Sequence, residues 1–356
     1  MEFNDNVRLQ PNAESDFIFQ PNLNTQIHWP VTLKNSFDLS LGAGYSEYVQ
    51  HQDLSQFFIT PGSGFSFDIY AGDFKINLHD RINITENAYE NTGAGGNNQN
   101  LVSLQNTLGA SALWDLGKVI SNFGYDHVNY VSLSGGQQQP DSTTENIFAN
   151  AGVRIRPELL AGVEAGGTLI SYNQNTSSNS VVQPDATQWS AGVFASAQVS
   201  DYISVRGDGG YTDYIPNNTS TNLVVRDSSG FYLSVSLSHR VNEHVTYTFS
   251  AGRSTDLSAY GQAQSYFFVR LEPNWNFFRK YSLTTPISWQ QGTRVYNTTA
   301  NNNADYQQIQ FGINVSRRLT QKLSVTLSYQ FVDETSSVQN FNYTDNIVSL
   351  NFAYQF

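Results

Sequence analysis

The sequence predicts an all-β fold, a single closed antiparallel transmembrane β-barrel of about 18 strands, and three observations stand behind that reading. Alternation of apolar and polar residues with period two recurs from end to end, and no stretch of comparable length shows a helical period. Tight polar links take turns with longer links rich in Asn, Gly, Ser, Gln and Asp. The composition joins 13% charged residues to 13% aromatic ones and 26 glycines, where soluble domains carry roughly 25% charged residues.

The strands follow in chain order. Residues 2–10, EFNDNVRLQ, are read as the first. In 16–29, Phe17, Phe19, Leu23, Ile27 and Trp29 share one face, with Asp16, Gln20, Asn22, Asn24, Gln26 and His28 on the other. In 37–46, Phe37, Leu39, Leu41, Ala43 and Tyr45 alternate with Asp38, Ser40, Gly42, Gly44 and Ser46. The same rhythm marks 74–84, 189–199, 231–240, 245–251, 309–318 and 322–331. The last strand, VSLNFAYQF (348–356), sets Val348, Leu350, Phe352, Tyr354 and Phe356 against Ser349, Asn351, Ala353 and Gln355.

Short links fall near 30–35, 70–73, 115–118, 156–159, 199–202, 240–244, 278–281 and 319–322, and long ones include 86–100, 132–144, 173–185 and 215–229. Links sorted by length between two ends are the mark of an outer-membrane barrel, with short periplasmic turns and long extracellular loops. Nine longer and eight short links make 18 strands, an even count that puts both termini at the short-turn end. Segments 2–10, 54–69 and 117–131 alternate weakly, which leaves 16 strands as the alternative count. No linker divides the chain, so residues 1–356 are expected to form one domain.

Lipid-facing positions of such a barrel are apolar at mid-depth, while the lumen is polar. The apolar parity is therefore the outside, with Trp29, Tyr45, Trp114, Tyr211, Trp275, Phe277, Tyr281 and Trp289 as interfacial girdles. Asp80 breaks the parity, since it shares a face with Phe74, Ile76, Leu78, Ile82 and Ile84, and a bulge or another register would account for it. The opposite parity supplies the pore-lining candidates Lys75, Arg81, Arg154, Glu164, Arg206, Asp208, Arg270 and Glu272.

Arg206 with Asp208 and Arg270 with Glu272 lie two apart, and Arg154 and Glu164 sit on successive strands, so local pairing is expected. The competing expectation leaves Arg81, Arg154, Arg206 and Arg270 unpaired, as a positive constriction that favours anionic solutes. Sixteen to 18 strands leave room for an aqueous channel, unless a loop such as 86–100, with Gly93, Gly95 and Gly96, folds inward.

Other classes are excluded by what is missing. There is no cysteine, hence no disulfide or thiolate metal site, and no apolar run of 18 residues for a spanning helix. The start, MEFNDNVRLQ, has no signal-peptide pattern, so an exported protein is expected to be represented here by its mature form or by a version expressed without a leader. A net charge of −12 argues against a nucleic-acid partner. His28, His51, His79, His127, His239 and His244 are scattered, and no Ser lies in a G-x-S-x-G context, so neither catalysis, a metal nor a cofactor is expected. His79 beside Asp80 and Arg81 comes nearest to a site, but alternation points His79 and Asp80 to opposite faces.

The terminal aromatics Phe352, Tyr354 and Phe356 resemble the signal that the outer-membrane assembly machinery reads on its barrel substrates. The opening stretch, with Asp5, Asn6 and Val7, then Ser15 and Asp16 leading into an aromatic strand with Pro21, resembles the outer-membrane β-barrel porins encoded beside exopolysaccharide synthesis and export genes. AGRSTD (251–256) is similar to a later strand of that family. The resemblance implies a Gram-negative outer-membrane location within the lipid bilayer, passage of a secreted polysaccharide, and periplasmic export proteins as partners. It carries no catalytic residue. Tyr202, Phe194, Tyr232, Phe148, Tyr266 and Phe268 fall on the lumen parity, where they could serve a sugar as aromatic platforms. A general diffusion porin for small hydrophilic solutes and a closed structural or adhesive barrel are the other expectations.

Overall fold

The computed structural model describes residues 1–86, 102–133, 141–173, 185–217, 228–257, 263–278, 280–297, 302–338 and 341–356. The 86–100 link named above lies almost wholly outside them. One antiparallel sheet holds twenty segments. The first ten are β1 (Glu2–Asn4), β2 (Asp16–Phe19), β3 (Asn22–Pro30), β4 (Ser36–Tyr48), β5 (Gln56–Ala71), β6 (Phe74–Glu86), β7 (Val102–Asp115), β8 (Val119–Ser132), β9 (Ser142–Arg156) and β10 (Leu159–Tyr172). They continue as β11 (Ala186–Ser200), β12 (Ile203–Pro216), β13 (Ser228–Arg240), β14 (Val245–Leu257), β15 (Ala263–Phe277), β16 (Tyr281–Thr284), β17 (Ile287–Asn297), β18 (Asn302–Arg318), β19 (Leu323–Ser336) and β20 (Tyr343–Tyr354).

Two of the breaks are prolines within single strands. Proline has no N–H to give to a ladder, so the hydrogen bonding lapses while the chain direction holds. Phe19 opposes Glu47 and Asn22 opposes Gly44 in one unbroken register around Pro21. Around Pro286, Leu271 opposes Ile287 and Asn274 opposes Thr284, again in one register. Twenty segments are thus 18 strands, joined by the alternating short and long links expected from the sequence.

The sheet closes on itself through β1, which pairs with β2 on one side and β20 on the other. The first strand is much shorter than the expected 2–10. After Asn4 the chain leaves the sheet because side chains take over the backbone's hydrogen bonding. Asn6 N donates to Asn4 Oδ1 at 2.7 Å, Gln10 N donates to Asn6 Oδ1 at 3.0 Å, and Asn6 Nδ2 donates to Gln10 O and Thr344 O. Glu2 lies opposite Ser349, so Met1 sits part-way up the wall rather than at the short-turn end, where Tyr354 lies.

Above this seam, Val7, Ile18, Tyr48 and Leu54 bury one another. The Arg8 guanidinium donates to Glu14 and Asp53 at 3.0 and 2.8 Å. Its hydrogen bond holds the Asp53 carboxyl below the usual carboxylate range. Buried Asp16 accepts from the backbone N–H groups of Phe17, Gln50 and His51.

The outward face is the apolar one. Leu23, Ile27, Trp29, Leu41, Trp114, Val193, Phe231, Leu350 and Phe352 are all exposed on it. At the short-turn end the rings of Phe74 and Trp114 stack at 5.3 Å and those of Phe277 and Tyr281 at 5.4 Å, as a girdle requires. Asp80 keeps its outward parity, opposite Phe65 and Leu108, and its carboxylate accepts from Asn106 Nδ2. The expected bulge is on the neighbouring strand: residues 60–63 of β5 stand opposite only 41 and 42 of β4. Gly64, at φ +147°, brings β5 so close to Asp80 that a Cβ would overlap the Asp80 carbonyl.

Candidate functional site

The inner wall is built from glycines as much as from the side chains that lie over them. Glu164 of β10, Gly192 of β11, Gly210 of β12 and Tyr232 of β13 form one continuous cross-strand row. Tyr232 lies along that row, and its O–H donates to Glu164 at 2.8 Å across two intervening strands. A Cβ on Gly192 or Gly210 would overlap the Tyr232 hydroxyl, so only glycine lets the ring lie flat. Phe148 covers Gly124 in the same manner, and Phe194 and Phe268 rest beside Gly152 and Gly252. Tyr202, expected among these rings, instead sits in the link after β11 and takes Arg240 over its face at 5.3 Å.

The eight pore-lining candidates all occupy inward positions by register, but they do not form one ring. Arg154 is not unpaired: its guanidinium grips both Asp115 oxygens at 2.9 and 3.0 Å and also meets the Gly117 carbonyl, at the short-turn rim. It does not meet Glu164, which serves Tyr232. Lys75 Nζ pairs with Asp68 at 2.9 Å, beneath the Asn77 amide that donates to the same carboxylate.

Arg206 approaches Asp208 only to 3.8 Å, because Asp208 is held by the Ser234 hydroxyl at 3.0 Å. Its guanidinium rests over Phe194 at 5.2 Å. Arg270 lies over Phe268 at 5.1 Å, without the expected ion pair to Glu272 among the described residues. Arg206, Ser236, Ser250 and Arg270 share one cross-strand row, so two cations with ring platforms stand about 14 Å apart on the wall. Arg81 also faces inward, exposed and with no acid partner among the described residues.

A separate polar network crosses β7. His79 Nδ1 meets Asn77 at 2.9 Å and His79 Nε2 meets Asp126 of β8 at 3.0 Å. The ring reaches over Gly109, where a Cβ would overlap both the Asp126 carboxylate and the His79 ring. Asp80 points the other way, as alternation predicted. Among the described residues no cluster of three His, Cys, Asp or Glu could hold a metal.

Burial rises toward the long-link end of the lumen. The inward residues Ile170, Ala186 and Tyr214 cluster there, and Ala304, Val332, Glu334 and Asp345 are almost fully buried, whereas Arg206 and Arg270 are exposed. The expected assembly signal faces outward, with Phe352, Tyr354 and Phe356 all well exposed and the last two rings in edge contact at 5.2 Å.

Eighteen antiparallel strands, apolar outside and polar within, define an outer-membrane barrel of the porin class. The chain belongs to the family described as Putative beta-barrel porin 2, which it matches over residues 1–356, and it is thus a non-enzymatic channel protein of the outer membrane. No curated protein matches it. Among solved structures, OccD3 (OpdP) of Pseudomonas aeruginosa shares the fold at TM-score 0.53 and 10% identity, over 100% of this chain and 90% of that one. OccK2 (OpdF) of Pseudomonas aeruginosa, solved in complex with glucuronate, gives 0.54 and 8%, over 100% and 95%. The FrpB iron transporter of Neisseria meningitidis gives 0.53 and 12%, over 94% of this chain, which spans only 61% of the transporter's length.

Proposed function

We propose that the barrel is the outer-membrane exit passage for a secreted polysaccharide. The observation that supports this reading is the set of rings laid against the inner wall, Phe148, Phe194, Tyr232 and Phe268, with Arg206 and Arg270 stacked on two of them. The C–H face of a sugar ring packs on an aromatic ring, and arginine beside it bonds hydroxyls or a carboxylate. Rings held flat also leave the cross-section free for a chain to slide. In this reading, periplasmic polysaccharide export proteins deliver the polymer at the short-turn end.

Arg206 and Arg270 on one row favour a second reading, general diffusion of small anionic solutes. Current blockade in a planar bilayer separates the two. Oligosaccharides of increasing length should block for increasing times, and Phe194→Ala with Phe268→Ala should shorten those times. Blocks that do not depend on length, together with anion selectivity, favour the diffusion porin.

A further inference from the structure

Arg253, within the AGRSTD stretch, has no part in the lumen. It stands opposite Leu233 and Phe267, both outward residues, so it faces the lipid. Arg253 and Arg317 are the only arginine or lysine residues on the outward parity of the described strands, and Arg317 lies over Tyr281 at the short-turn end. β14 starts at Val245, opposite Trp275 of the short-turn girdle, and Arg253 is eight residues further on. At about 3.4 Å per residue and a tilt near 40°, that is roughly 20 Å along the membrane normal, close to the far edge of an apolar band about 25 Å tall.

The guanidinium is clamped between two exposed rings, 4.2 Å from the centre of Phe231 and 5.8 Å from that of Phe267. Tyr211 lies directly across from Phe231, and Trp189 packs on Tyr211 at 5.8 Å, so Arg253 is set into the upper aromatic belt. No carboxylate pairs with it among the described residues. Of the acids with outward parity near the long links, Glu145 accepts from Tyr125, Asp305 from Thr293 and Asp333 from Thr344, while Asp213 lies opposite Ser229, two strands from Arg253, and makes no ion pair with it among the described residues. Ring faces satisfy a guanidinium's charge but not its in-plane N–H groups. A cation with free donors, aimed at lipid at headgroup depth, matches an anion that accepts two parallel hydrogen bonds.

We propose that Arg253, held by Phe231 and Phe267, binds the phosphate of a lipid headgroup in the outer leaflet. The test uses the full chain in nanodiscs containing a phosphorylated glycolipid or the same lipid after dephosphorylation, with bound lipid counted by native mass spectrometry. The wild-type protein should retain the phosphorylated lipid, and Arg253→Gln should lose about tenfold of it. Arg253→Lys should fall between, as a point charge without the fork, and Arg317→Gln should match wild type. Added inorganic phosphate should not displace the lipid, whereas displacement would show a site for the free ion instead. Equal retention by Arg253→Gln, or of the dephosphorylated lipid by wild type, would overturn the proposal. Heat-modifiable migration on gels verifies that each variant is folded.

Discussion

Asp5 and Asn346 join the first strand to the last: the Asp5 carboxylate accepts from the Asn346 backbone N at 2.6 Å and from its side-chain amide at 2.7 Å. The Tyr329 hydroxyl donates to the remaining Asn346 oxygen at 2.8 Å. This clasp sits where β1 contributes only three residues to closing the cylinder. Asn346→Ala keeps the backbone donor but removes the charge-assisted bond from the side-chain amide and the acceptor of the Tyr329 hydroxyl, and should cost about 1–3 kcal/mol. The midpoint of the heat-modifiable gel shift should fall accordingly, and an unchanged midpoint would show that the seam closes without the clasp.

Acid should loosen the link above the same seam. Asp53 has its pKa lowered by the Arg8 hydrogen bond, so its contribution is fully present above the unfolded carboxylate value and is lost as pH falls through the folded one. Val7 N donates to Glu14 O inside this link. Its amide protection, corrected for intrinsic exchange, should be flat near neutrality and fall only below the ordinary carboxylate range. Asp53→Asn should remove that dependence.

The glycine rows make a steric prediction. Gly210→Ala should lift Tyr232 off the wall, break its bond to Glu164 and lower single-channel conductance, and because the same Cβ also meets the Ala191 carbonyl of β11, heat-modifiable migration must show that the barrel still folds. Gly207→Ala on the same strand, where the nearest atom is 3.8 Å from an added Cβ, should leave conductance unchanged. Equal conductance in both variants would mean that the ring does not bound the passage.

The terminal aromatics should matter for assembly more than for stability. Phe356 is 94% exposed, so removing it takes little packing from the folded barrel. Deleting Phe356 should lower the amount assembled in cells, while refolding from urea into detergent proceeds as in wild type. A refolding defect of the same size would make the residue structural.

The strand rhythm was legible because lipid on one side and a polar lumen on the other impose period two on nearly every segment. It was faint in particular places for physical reasons. The 54–69 stretch contains the bulge at 60–63, whose two extra residues interrupt the alternation with Pro61 and Gly62, although Phe57, Ile59, Phe65 and Phe67 keep one parity on either side. In β8, outward Tyr125 and His127 both bond Glu145 of β9, so polar residues occupy what period two reads as the greasy face. The length of β1 was not legible, since Asn6 ends the strand with side-chain hydrogen bonds that alternation does not record. Arg154 and Asp115 are 39 residues apart and meet only through the registers of β7, β8 and β9. The row from Glu164 to Tyr232 likewise exists only after four strands are aligned, although its signal, inward glycines in step with an inward tyrosine, was in the sequence.

Conductance and reversal potential of the refolded chain in a planar bilayer under a salt gradient test most directly the claim that the wall described above bounds a passage. A steady conductance is expected, with a reversal potential that leans toward anions and moves toward cations in the Arg206→Gln, Arg270→Gln double variant. Correctly folded protein that passes no current, or a reversal potential indifferent to both arginines, would contradict that claim.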